Sequence, residues 1–265
     1  MCYGFWKIID IFRFKPREKE DNQEQIEEVV SVEDSSVEQA DTVSALDQED
    51  ELAVQDETVI PTYLLDYDPL SLEDIPEYSG VPYYIVNDNI PSFTDADKEN
   101  PTFEYYSNLD LLGRCGVATA NLDLSLMPTE ERESIGGVKP SGWHTIKYPD
   151  LIEDLYLYNR CHLIAFSLAG ENANEKNLIT GTRYMNIQGM LPVESEVAEY
   201  IKLTGNHVLY RVTPCFSGVE LVARGVHIEA YSVEDSGWGI CINIFAYNVQ
   251  PGITIDYLTG DSWVE

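Results

Sequence analysis

The sequence predicts an α+β domain, a mostly antiparallel sheet carrying a few helices. Three observations lead there. Three alternating segments close the chain, HVLYRVTPCF, VHIEAYSV and GICINIFAYNV, each bounded by Gly, Pro or Asp-Ser-Gly. One segment, LPVESEVAEYIKLTG, has helical spacing: Val193, Val197, Tyr200 and Ile201 share a face, Pro192 suits the first turn and Gly205 the C-terminal cap. No internal repeat is visible.

The other elements follow in chain order. GVPYYIVNDNIPSF reads as a strand from Tyr83 to Val86, closed by Asn-Asp-Asn and Pro91. LDLLGRCGVATANLDL reads as a Gly-containing, partly buried strand. MPTEERESIG has Pro128 and an acidic first turn, which predicts a short helix. KPSGWHTIKY is a turn leading into a strand. LYLYNRCHLI is a strand with Leu155, Leu157, Asn159 and Cys161 on one face and Tyr156, Tyr158, Arg160 and His162 on the other.

Charge divides the chain. The 265 residues carry a formal net charge of −31, with 26 acids against 6 bases in residues 1–100 and 21 against 10 in residues 101–265. Residues 21–60 hold no Lys or Arg. Low hydrophobicity and one-sign charge cannot offset chain entropy, so a disordered acidic linker is expected over 21–75. Residues 1–20 form a short apolar and basic segment before it, and the folded domain is expected over 76–265. A body this negative argues against broad basic-patch binding of nucleic acid, yet leaves room for phosphate chemistry at one local site with a divalent cation. The five cysteines are odd in number and form no C-x-x-C, which argues against a disulfide framework or a structural zinc site. No apolar run reaches the roughly 18 residues of a membrane span. The N-terminal apolar stretch is too short and broken for a clear signal peptide.

Chemistry concentrates in YNRCHLIAFSLAGENANEKNLITGTRYMN, residues 158–186, with one histidine, two arginines and five asparagines. On the strand reading, Arg160 and His162 point the same way, so a phosphate held by one faces the other. An imidazole of near-neutral pKa can take a proton from water. Asparagine is a neutral oxygen ligand, suited to a hard cation that must keep its charge to neutralise a phosphate. Glu194, in the first turn of the next helix, can orient metal-bound waters. Asn172 and Asn174 read as turn residues. His144, His207 and His227 have ordinary local explanations.

These residues resemble the DNA/RNA non-specific endonucleases, the ββα-metal (His-Me finger) nucleases, in the streptococcal-type surface or secreted DNase branch. Asn159-Arg160-Cys161-His162 stands where that family has Asp-Arg-Gly-His, and NEKNLITGTRYMN resembles its Asn-Pro-Lys-Asn … Asn block. PVESEV, HVLYRVTP and YNVQPGITIDYLTGDS resemble its C-terminal half, so the resemblance runs from about Tyr78 to Trp263. It implies a ββα-metal catalytic core, with His162 as general base, Asn186 as direct metal ligand, Asn177 as a supporting amide and Glu194 positioning metal waters. Arg160 matches the motif arginine, and Arg183 and Arg211 are further phosphate-contact candidates. The implied cofactor is Mg²⁺, with Mn²⁺ as substitute. The implied substrate is DNA, with RNA open, cut without sequence readout, at the cell surface or outside it. Two positions depart from the motif: Asn159 for Asp and Cys161 for Gly. Two other readings stand beside this one: a catalytically silent acidic binding module or DNA-mimic decoy, and a toxin domain held by a protein inhibitor.

Overall fold

A computed structural model describes residues 67–265. The apolar N-terminal segment and most of the acidic linker expected from sequence lie outside the described residues. Residues 67–75, assigned by sequence to that linker, are instead packed on the domain. Leu70, Leu72 and Ile75 cover a cluster of Cys215, Phe245 and Tyr247, and the Tyr67 hydroxyl bonds Thr213 Oγ1 at 2.6 Å.

The main sheet has six strands, β1 (Tyr83–Ile85), β2 (Phe103–Tyr106), β3 (Ala118–Leu122), β6 (Val208–Cys215), β7 (Gly225–Ser232) and β8 (Cys241–Tyr247). Their order is β1-β8-β7-β6-β3-β2, and every neighbouring pair is antiparallel. A separate hairpin pairs β4 (Tyr158–His162) with β5 (Leu178–Thr182), and a second pairs β9 (Ile253–Ile255) with β10 (Ser262–Val264). The helices are α1 (Asp95–Lys98), α2 (Phe166–Ala169) and α3 (Leu191–Thr204), and a π-helical segment, Met185–Met190, runs into α3. The antiparallel α+β class expected from sequence is the class observed.

The alternation of β6 sets the layers. Tyr210 and Val212 point into the main core with Val193, Val197 and Ile201 of α3. Arg211 and Cys215 point to the opposite face, under the segment that enters at Tyr67. Helix α3 ends as expected, with Gly205 left-handed at φ 72° and its N–H bonded to the Ile201 carbonyl.

Three expectations are corrected. Residues 128–137 are irregular, ending in a turn at 136–137, rather than helical, because Arg132 reaches toward His162 and the Glu133 N–H bonds the Asn172 side chain at 3.0 Å. The strand expected after Trp143 shrinks to one bridge, Lys147 with Tyr156. Strand β4 starts at Tyr158 and not at Leu155, whose φ of 69° is outside the range a strand allows.

Candidate active site

The hairpin β4–β5, the π-helical segment and α3 together form a β-β-helix unit against the main core. Strand β4 alternates: the Cys161 side chain enters the core, and His162 and Arg160 line a cavity of about 750 Å³. Asn186 enters the same cavity from the π-helical turn, where the Leu191 N–H reaches back five residues to the Asn186 carbonyl. Glu194 enters it from the first turn of α3. The structure therefore brings His162, Arg160, Asn186, Glu194 and Arg183 to one cavity.

His162 is 7% exposed. Its Nε2 lies 2.8 Å from the Asn172 carbonyl oxygen, which can only accept, so Nε2 carries the proton. Nδ1 is then the lone-pair nitrogen, with Arg132 Nη2 at 3.4 Å. Burial is the main cause that holds the imidazole pKa below its ordinary value, and the Arg132 charge adds to it. The ring is thus a neutral base with one defined acceptor.

Glu194 is 8% exposed, and burial pushes its carboxyl up to about 8 from 4.5, opposed in part by Arg132. Neither its carboxyl nor the Asn186 amide hydrogen-bonds another described residue. Two hard oxygen donors left unspent in one cavity fit a divalent cation of the magnesium type. No group of three or more His, Cys, Asp or Glu side chains among the described residues could hold a metal, so an ion here would keep several waters. Arg160 lies with its guanidinium 4.0 Å from the Trp143 ring centre and donates to the carbonyls of Val138 and Gly136, the latter at 2.9 Å. It ties the 136–138 turn to β4. Arg183 pairs with Asp154 at the cavity rim.

Two predicted site residues stand elsewhere. Asn177 is fully buried, with its amide oxygen accepting from the Ile164 N–H and its amide nitrogen donating to the Ile164 carbonyl, each at 2.9 Å. It braces the turn after His162 and does not line the cavity. Arg211 is on the far face of the sheet, paired with Glu229 at 2.6 Å, bonded to Ser92 and flanked by the Tyr67 and Phe93 rings. It cannot meet a phosphate in the cavity. Sequence reasoning missed Arg132, which bonds the His162 ring and whose charge acts on the Glu194 carboxyl. Its one signal was a single cation inside the acidic run TEERES.

Together the antiparallel sheet and the β-β-helix unit define the ββα-metal class of fold. The model of the DNA/RNA non-specific endonuclease family matches residues 94–234, and the chain belongs to that family. It is 34% identical over 110 residues to a deoxyribonuclease of Streptococcus dysgalactiae subsp. equisimilis, a match covering 40% of this chain and 32% of that one. The chain thus spans about a third of that relative's length. It resembles crystal structures of NucA from Streptococcus agalactiae without metal, with TM-score 0.63 and 27% identity over 73% of this chain and 92% of that one. The magnesium-bound form of NucA matches with TM-score 0.62 and 26% identity, over 71% and 89%. The Sda1 nuclease with bound zinc matches with TM-score 0.52 and 28% identity, over 62% of this chain and 82% of that one. No helix of the described residues is long and apolar enough to cross a membrane.

Proposed function

We propose that this chain is a divalent-metal-dependent endonuclease that hydrolyses DNA phosphodiester bonds without reading sequence. The observation that carries this is the state of His162. Its Nε2–H is committed to the Asn172 carbonyl, and its Nδ1 lone pair faces the cavity, where it accepts only a long 3.4 Å bond from Arg132 that a phosphate can draw away. Nδ1 takes a proton from a water aligned with the phosphorus. Arg132, 3.4 Å from that nitrogen, binds a non-bridging phosphate oxygen and keeps the imidazole neutral by its charge. Asn186 would hold the ion through its amide oxygen, and Glu194 would orient the ion's waters. Bound there, a divalent ion supplies positive charge against the phosphate and the departing 3′-oxygen. Arg160 keeps the 136–138 turn in place, and contacts to phosphates alone leave base order unread.

Magnesium is the ion the hard donor set favours, and it is the ion named for the NucA relative. The resemblance to the streptococcal-type branch supports a location at the cell surface or outside the cell. The test is cleavage of supercoiled plasmid, and of RNA in parallel, with Mg²⁺, Mn²⁺ or EDTA. Wild type should cut with Mg²⁺ and stop in EDTA, and His162→Ala should lose roughly 10²–10⁴-fold in rate. Cleavage retained by purified His162→Ala protein would overturn the assignment, and an intact plasmid under every metal would favour the silent acidic module.

A further inference from the structure

The cavity continues past the catalytic residues along a short ladder. Lys147 pairs antiparallel with Tyr156, the Tyr148 N–H bonds the Leu155 carbonyl at 2.8 Å, and the Leu157 N–H bonds the Ile146 carbonyl at 3.0 Å. Among the described residues no pairing continues beyond Ile146, and Trp143 meets Arg160 through a ring contact alone. Two cation–aromatic pairs thus lie along this stretch, an inner and an outer rung. On the inner rung Arg160 lies 4.0 Å from the Trp143 ring centre, and on the outer rung Lys147 Nζ lies 4.6 Å from the Tyr156 ring centre. At about 3.3 Å per residue, His162 is about 7 Å beyond the inner rung, and the outer rung is about 20 Å from His162.

The rungs differ in what they are free to do. The inner one is closed: Arg160 is committed to two carbonyls, and Trp143 packs on the cluster of Ile152, Leu157 and Ile253. The outer one is open. Tyr156 is 41% exposed, lines the cavity, and its hydroxyl bonds no described residue. Lys147 covers one side of its ring. Of the three acids in the hairpin tip, Asp150, Glu153 and Asp154, the last is paired with Arg183.

We propose that Tyr156, backed by Lys147, is a subsite for an unpaired nucleobase of single-stranded DNA. The base stacks on the open face of Tyr156, and a neighbouring phosphate meets the Lys147 ammonium. An aromatic face with a cation beside it binds any base by stacking and tracks the backbone by charge. A paired base offers no free face to such a ring. The subsite therefore favours single strands or locally opened duplex and holds them in line with His162. This deepens the nuclease reading and rests on it for the strand's purpose.

The experiment measures binding by the full chain in EDTA, where no cleavage intervenes. The probes are a labelled twelve-nucleotide oligodeoxythymidylate, an abasic strand of the same length and a matching duplex. Tyr156→Ala should weaken thymidylate binding by about five- to 150-fold, the worth of one stacked base, and leave duplex binding unchanged. Tyr156→Phe should bind as wild type does. The abasic strand should not distinguish Tyr156→Ala from wild type. Lys147→Ala should lower the salt slope by about one. Unchanged thymidylate binding by Tyr156→Ala, or equal loss on the duplex, would overturn the subsite. Plasmid cleavage with Mg²⁺ is scored separately. Loss of the subsite in a chain that cuts plasmid overturns this inference alone. A subsite that holds in a chain that cuts nothing supports this inference and overturns the nuclease reading.

Discussion

Gly181 and Cys161 should behave as a matched pair, and a double-mutant cycle reads it. Cys161 stands where the family motif has glycine, but its φ is not positive, so the backbone does not require glycine there. What the extra side chain requires is space, and the facing strand supplies it. A Cβ added at Gly181 would stand 2.6 Å from Met185 Cε and closer still to Cys161 Sγ, with both partners buried. Overpacking of this kind costs about 1–3 kcal/mol. The better strand propensity of Ala returns about 0.5–1 kcal/mol, so Gly181→Ala should lose up to about 2.5 kcal/mol net. Cys161→Gly should lose about 2 kcal/mol, from the emptied volume and the added chain freedom. In the double variant the new methyl fills the vacated space, so the two losses should fall short of additivity by about 1 kcal/mol or more. The assay is urea denaturation of wild type, both single variants and the double variant, in EDTA so that ion binding does not contribute. Additivity within about 0.5 kcal/mol would refute the compensation argument.

Glu194 gives a pH signature in the metal-free protein. Its pKa is raised from 4.5 to about 8, so the native state keeps a proton that the unfolded chain releases between those values. That contribution to stability is complete below 4.5 and is lost as pH rises through about 8. Glu194→Gln should therefore be more stable than wild type by about 3 kcal/mol at pH 7 in EDTA, and equal to it near pH 4. Denaturation midpoints at both pH values check this, and a variant no more stable at pH 7 refutes the burial argument. The acid limb of kcat/KM should fall below the ordinary histidine value, since burial and then Arg132 depress the His162 pKa. Arg132→Ala should move that limb upward while lowering kcat/KM, and a pH–rate profile with an unmoved limb would deny Arg132 its contact with the base. Arg211→Met should cost about 3–5 kcal/mol by leaving Glu229 buried and unpaired, with the joint Arg211→Met, Glu229→Leu variant losing much less. Thermal unfolding reads the cost. A lowered cleavage rate per folded molecule would return Arg211 to substrate binding.

The parts of the fold legible in the sequence were those governed by local period and termination. The long strands alternate because one face is core and the other lies under residues 67–75, and α3 is marked by Pro192 and Gly205. The helix expected after Pro128 was misread because its acidic first turn mimics a helix start, whereas long-range bonds from Arg132 and Glu133 decide the backbone there. Arg160 and His162 were correctly set on one face, since period two in β4 suffices for that. Arg211 shows what pattern cannot reach. An arginine in a strand reads the same whether it faces a phosphate or a buried carboxylate, and only the register that sets Arg211 opposite Glu229 distinguishes them. Asn177 failed for a similar reason, because an amide that braces a backbone turn has the same composition as one that serves a metal.

Tyr67, the first described residue, lies across the sheet from α3, over Arg211. The polypeptide enters the domain from its rear, with the whole thickness of the sheet between that point and the cavity. At physiological ionic strength fields between exposed charges fade over about 8 Å, so the carboxylates of Asp68, Glu73 and Asp74 at this end of the described chain need not repel an anionic polymer at the cavity.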